Sequence, residues 1–173
     1  MSIFFTADTH FGQERTLELS KRPFKDVDHM NDAMINRWNK TVKDEDVVYH
    51  LGDFGDIEIA EQLYGNIVLI KGNYETDGDM SDSELKKYFS DVRDDMVVRI
   101  PGLNPVIKLV HEPLKMDDKV FNLFGHIHKL QMVKRKGLNV GTDCHNFTPI
   151  DVETVEFYRN AIDNFYDDNV FCE

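Results

Sequence analysis

A chain of 173 residues, 41% hydrophobic and 11% aromatic, suffices for one substantial core and is short for two, so one domain over residues 1–173 is expected. Its formal charge of -12, with no extended basic run, argues against extended nucleic-acid binding, which needs several Lys or Arg side chains on phosphates. Two distant cysteines, Cys144 and Cys172, suggest neither a disulfide framework nor a thiolate zinc site. With neither a signal-like leader nor an apolar run of bilayer length, the expectation is a soluble, cytoplasmic protein without a membrane partner.

In chain order, residues 3–7 read as a buried strand. A loop follows that opens with Asp8-Thr9-His10 and runs through Arg22-Pro23-Phe24, where proline disfavours helix. From an N-cap at Asp26 or Asp28, the recurrence of Val27, Met30, Met34 and Trp38 at helical spacing predicts an amphipathic helix. Val47-Val48-Tyr49 predicts a second strand, which leads through His50-Leu51-Gly52 to Asp53. A weaker helix over residues 57–64 stops at Gly65, and residues 67–70 predict a third strand ending at Gly72-Asn73. This alternation of strand and helix implies right-handed parallel crossovers.

After a short helix near residues 83–89, strands at 96–100, 106–110, 120–124 and 138–140 predict a second, more antiparallel sheet. Val152, Val155, Tyr158, Ile162 and Phe165 suit a final helix capped by Asp151, with a strand over residues 154–158 as the alternative. The acidic stretches 77–84 and 163–173 read as solvated surface.

The chemistry lies at strand ends, where loops converge and rigid strands position side chains. Asp8 and His10 follow the first strand, Asp53 the second, Asn73 the third, His111 a later one, and His126 with His128 another. Carboxylate, imidazole and amide oxygen together suit manganese first, with iron, zinc or nickel as alternatives, and not an all-oxygen calcium site. Two such divalent ions sharing a bridging carboxylate would lower the pKa of a bridging water and neutralise charge on a reacting phosphoryl group. Gly52, Gly72 and Gly125 each precede a candidate ligand, where the lack of a Cβ lets backbone approach an ion closely.

Asp8-Thr9-His10, Gly52-Asp53, Gly72-Asn73, Val110-His111 and Gly125-His126-Ile127-His128, in this order, resemble the motifs of the calcineurin-like metallophosphoesterase family, in particular small phage-type members that share Arg22-Pro23-Phe24 and Trp38-Asn39. The resemblance implies an α/β fold, a four-layer α/β/β/α sandwich of two mixed sheets flanked by helices. It implies that Asp8, His10, Asp53 and His128 hold one metal, that Asp53, Asn73, His111 and His126 hold the second, and that Asp53 bridges them. The activity it implies is two-metal hydrolysis of phosphate esters by a metal-bridging hydroxide, on a small phosphoester or nucleotide-like substrate.

One motif departs from the family. Where it has Gly-Asn-His followed by an acid, this chain has Gly72-Asn73-Tyr74-Glu75, and a phenol is a weaker acid than an imidazolium at neutral pH. Protonation of a poor leaving group should be weaker, so the expectation leans to a phosphodiesterase with Asn73 and Tyr74 at the reacting centre. The alternatives are a phosphomonoesterase acting on protein or nucleotide, a metal-binding scaffold without turnover, and a nuclease restricted to single-stranded ends. Tyr74 could instead be a lid over the metals. Arg22 reads equally as a phosphate clamp in an accessible loop, since guanidinium matches phosphate oxygens, or as a surface ion pair. His50 reads as a core or supporting residue, His29 as surface, His145 as a possible cleft residue, and Glu75 and Asp56 as solvated acids or supports for ligand imidazoles.

Overall fold

The computed structural model describes residues 1–78, 80–100 and 103–167, with positions 103–105 described by backbone alone; Cys172 and the end of the acidic 163–173 stretch lie outside them. The first half runs β1 (Ile3–Thr6), α1 (Glu14–Leu19), α2 (Val27–Thr41), β2 (Val47–His50), β3 (Asn66–Ile70), α3 (Asn73–Asp77), α4 (Asp82–Leu85) and β4 (Asp91–Arg93). The second runs β5 (Met96–Ile100), β6 (Leu103–Leu109), β7 (Phe121–Phe124), β8 (Val133–Lys134), β9 (Gly137–Asn139), β10 (Ile150–Asp151) and α5 (Val152–Phe165). These strands form two mixed sheets, in the orders β10-β1-β2-β3-β4 and β5-β6-β7-β9-β8.

β1, β2, β3 and β4 pair in parallel, with Phe4 opposite Val48 and Val48 opposite Ile67, and β10 closes the edge antiparallel to β1. Because successive strand side chains face opposite ways, Phe4 joins one core and Phe5 the other. The first core packs Phe4, Val48, Ile67 and Leu69 under Met30, Met34 and Trp38 of α2. The Asp26 carboxylate caps that helix by accepting from the His29 N–H at 2.8 Å. Trp38 donates Nε1–H to the Tyr64 carbonyl at 2.9 Å, and Asn39 bonds Gln62 and Tyr64, so the helix pins the loop leading into β3.

The second core lies between the sheets: Phe5, Leu51 and Ile70 meet Val98, Ile107, Leu109, Phe121 and Leu123. α5, capped by the Asp151 carboxylate on the Thr154 N–H, adds Val155 and Ile162 to this core and contacts β9, β10 and β1, so it packs on strands of both sheets.

Several local expectations change. The stretch expected as loop before Arg22 contains α1, because Glu-Arg-Thr-Leu-Glu-Leu consists, apart from Thr16, of good helix formers although too short to show a periodic apolar face. Residues expected as a weak helix form a 3₁₀ turn, Ile57–Gln62. The second sheet is mixed, as the fold expectation has it, but not predominantly antiparallel, since β6–β7 and β7–β9 are parallel while β5–β6 and β8–β9 are antiparallel. The final segment is the expected helix, and the alternative strand over residues 154–158 does not form. β4 and β10, with three and two residues, were not expected at all.

Candidate metal centre

The loops leaving β1, β2, β3, β6 and β7 bring all seven candidate ligands to one end of the two sheets. The loops after β1 and β2 continue their pairing: the Asp8 N–H donates to the Gly52 carbonyl and the His10 N–H to the Asp53 carbonyl, both at 3.0 Å. Asp8, His10, Asp53, His126 and His128 all have positive φ, between 49° and 73°. For non-glycine residues the left-handed conformation costs roughly 1–2 kcal/mol each, and it persists where the surroundings over-determine it, often at functional sites. Here it turns five of the seven candidate ligands out of extended backbone and towards a common point.

Two clusters result, Asp8 with His10 and His128, and Asp53 with His111 and His126; in each, one ligand atom per residue lies within 4.8 Å of the others. Asp53 stands between them, with Oδ2 3.6 Å from His10 Nε2 and 3.4 Å from His111 Nε2. His126 Nδ1 faces His111 Nε2 at 3.2 Å.

Three of the four imidazoles are aimed by what holds their other nitrogen. His10 Nδ1 meets Gln13 Oε1 at 2.7 Å, His111 Nδ1 donates to the Leu51 carbonyl at 2.6 Å, and His128 Nδ1 meets Asp143 Oδ2 at 2.8 Å and Ser20 Oγ at 3.0 Å. Such partners fix tautomer and ring orientation and leave Nε2 for a metal. Asp8 accepts from the His126 N–H through both oxygens, and Asp53 Oδ1 accepts from the Tyr74 N–H at 3.1 Å.

Electrostatically the clusters differ. Burial pushes the Asp8 carboxyl up to about 6, against the lowering charges of His111 and His128. Burial also pushes His10 down to about 4 despite the nearby Asp53. Around Asp53 burial is overcome: the hydrogen bond and charge of His111 hold this carboxyl down at about 2, and Asp53 and Asp8 raise His111 to about 9.

The residues fit a pair of divalent cations on grounds of their own geometry. His10 Nε2 and Asn73 Oδ1 are buried with no hydrogen-bond partner among the described residues. Unpaired buried polar atoms are costly, and a cation would satisfy both. The space is kept open by glycine: a Cβ on Gly72 would collide with Asp53 Oδ1, and one on Gly125 would stand 2.7 Å from Asp8 Oδ2.

Arg22 is neither an accessible clamp nor a surface pair. It is buried, donating to Asp143 at 3.0 and 2.8 Å, to the Asp8 and Thr9 carbonyls at 2.6 and 2.7 Å, and towards the Met30 sulfur at 3.4 Å. Five N–H donors are thereby engaged, and none is left for a phosphate. Arg22 thus braces the loop that carries Asp8 and the carboxylate that aims His128.

Glu75 is no solvated acid either: it is buried and accepts the N–H groups of Asp53, Phe54 and Gly72 at 2.7–2.9 Å, tying the loops after β2 and β3 together. Asp56 is exposed and caps the 3₁₀ turn. His50 is a core residue stacked near Trp38, meeting Thr9 Oγ1 at 2.9 Å and driven by burial down to about 3. His29 is exposed, and His145 lies away from the site, held by the Asn139 carbonyl at 2.7 Å. Tyr74 is 46% exposed and meets the edge of His10 with ring centroids 5.0 Å apart. Gln13, Ser20 and Asp143 were missed. Gln13 had a faint signal, three residues after His10; Asp143 had none, since it reaches His128 and Arg22 only through the fold.

Two mixed sheets with a histidine and carboxylate centre at their loop ends define a metallophosphoesterase-type hydrolase. Residues 1–149 match the calcineurin-like phosphoesterase superfamily domain, and the chain belongs to that family of phosphoester hydrolases. It is 29% identical over 171 residues to an uncharacterised protein of Methanocaldococcus jannaschii, covering 88% of each chain. A protein of unknown function from Aquifex aeolicus shares the fold with a TM-score of 0.73 and 22% identity, covering 91% of this chain and 98% of that one. An archaeal phosphodiesterase shares it with a TM-score of 0.51 and 21% identity, covering 89% and 95%. No helix among the described residues is long and apolar enough to cross a membrane.

Proposed function

We propose that this chain is a phosphodiesterase dependent on two divalent cations, manganese by preference, with Asp8, His10, Asp53 and His128 as ligands of one and Asp53, Asn73, His111 and His126 as ligands of the other. The observation that carries this reading is the position of Asp53 Oδ2, within 3.6 Å of an imidazole from each cluster. When bound, such a cation pair supplies a water acidic enough to ionise near neutral pH and positive charge opposite the reacting phosphoryl group.

The protein's own part is positioning. Gln13, Asp143 and the Leu51 carbonyl hold three imidazoles by Nδ1, so that Nε2 is the nitrogen left for a metal. Glu75 fixes the backbone on both sides of Gly72 and Asp53. Asn73 Oδ1 is buried without a hydrogen-bond partner among the described residues, and Tyr74 meets the edge of His10 at the rim.

A phenol at position 74 favours diesters whose leaving groups need little protonation. Purified protein loaded with manganese should therefore hydrolyse bis(p-nitrophenyl) phosphate faster than p-nitrophenyl phosphate, and lose activity to a chelator. Tyr74→His should raise the rate on monoesters with poor leaving groups more than the rate on activated diesters. Equal effects on both substrates would remove Tyr74 from leaving-group chemistry, and a chelator-insensitive rate would remove the metals.

A further inference from the structure

The metal centre forms the floor of a cavity of about 570 Å³ whose walls belong to α1 and to the 3₁₀ turn His128–Leu130. This volume is within the usual range for small-molecule sites, roughly 300–1,000 Å³. The walls are locked together, because Ser20, at the end of α1, bonds His128 Nδ1 at 3.0 Å. α1 presents Arg15 and Leu19, one helical turn apart on one face. The opposite turn presents Lys129 and Leu130, and Tyr74 closes a third side.

The composition of this rim is unexpected for a chain of net charge -12. Arg15 and Lys129 are both exposed, and neither has an ion-pair partner among the described residues. Leu19 and Leu130 are 68% and 86% exposed. A phosphodiester needs only the floor. Two free cations above an apolar wall instead suit a substrate with a second anionic group, set beyond a flat organic moiety.

We propose, resting on the phosphodiesterase reading, that the substrate is a diester carrying a second, terminal phosphate, as in a 5′-phosphorylated dinucleotide. Arg15 and Lys129 receive the terminal phosphate, while Leu19, Leu130 and Tyr74 flank a base. Each exposed cation contributes a discrimination of roughly two- to fivefold, in the range of solvent-exposed charge pairs. The metal-site ligands play no part in telling the two phosphorylation states apart.

The test compares a 5′-phosphorylated thymidine dinucleotide with the same dinucleotide lacking that phosphate, with bis(p-nitrophenyl) phosphate as reference. The expected kcat/KM ratio of the first to the second is about tenfold, falling towards one in Arg15→Gln and Lys129→Gln and with rising salt. A readout without turnover accompanies it: calorimetric binding of thymidine 3′,5′-bisphosphate against thymidine 3′-monophosphate should show the same preference and the same loss. Hydrolysis of the reference diester with no preference between the dinucleotides would overturn this inference and leave the phosphodiesterase reading intact. No hydrolysis of any diester would overturn both, and a preference untouched by either substitution would overturn the role of the two cations.

Discussion

The two ligand clusters are built by opposite means. The Asp8, His10 and His128 half is braced by side chains: Gln13 aims His10, Asp143 and Ser20 aim His128, and Arg22 holds both Asp143 and the backbone of Asp8 and Thr9. The Asp53, His111 and His126 half is braced by main chain: a carbonyl aims His111, and Glu75 gathers three backbone N–H groups around Gly72 and Asp53. In the first half burial takes Asp8 up to about 6 and His10 down to about 4, while Asp143 and Asp8 together raise His128 against its burial. The second contains an internal ion pair, with Asp53 down at about 2 and His111 up at about 9. A cation entering the second half must therefore displace a proton from His111, whereas His10 already offers a neutral nitrogen at pH 7.

The largest effect should come from the residue common to both halves. Asp53→Asn should lower diester kcat by about 10³-fold, comparable to the upper range for losing a preorganised electrostatic group, in steady-state assays with saturating manganese. Arg22→Ala should be next, and should act on stability: breaking a buried ion pair costs about 3–5 kcal/mol, visible in urea unfolding. A normal urea midpoint with a raised KM would restore the phosphate-clamp reading of Arg22.

The braces of the two halves should then separate. Asp143→Asn should weaken metal affinity or activity by about 10–100-fold, as for other partners of ligand imidazoles, and its effect should fall on one of two titrated metal equivalents. Glu75→Gln, which keeps one acceptor oxygen and turns an NH₂ towards backbone donors, should cost about 1–3 kcal/mol, measured by the same unfolding assay.

The smallest effect is on pH dependence of the metal-free protein. His111 is raised above its ordinary value, so it contributes stability that is complete below about 6.5 and lost as pH climbs through about 9. The Tm of chelated protein should thus fall between pH 7 and 9. Manganese should stabilise more at the upper end, because binding no longer competes with that proton. A flat chelated profile over this window would contradict the proton on His111.

What the sequence made legible follows from the same physics. Residues 3–7, 47–49 and 67–70 are mainly apolar runs with a ligand one to four residues beyond them, so strand and site announce each other. Short elements such as β4 and β10 offer too few residues for a period, and α1 shows its helical character only in composition. Arg22 and Glu75 were misplaced because charge implies exposure unless a partner is seen. Their partners, Asp143 at 121 residues' separation and the backbone of Asp53 at 22, exist only in the folded chain.

Determining metal content and position in manganese-loaded protein, by elemental analysis with anomalous diffraction, tests the central claim most directly. Two ions per chain, each bonded to the Asp53 carboxylate and divided between the two clusters, are the predicted result. A single ion, or two that leave Asp53 unbound, would contradict it.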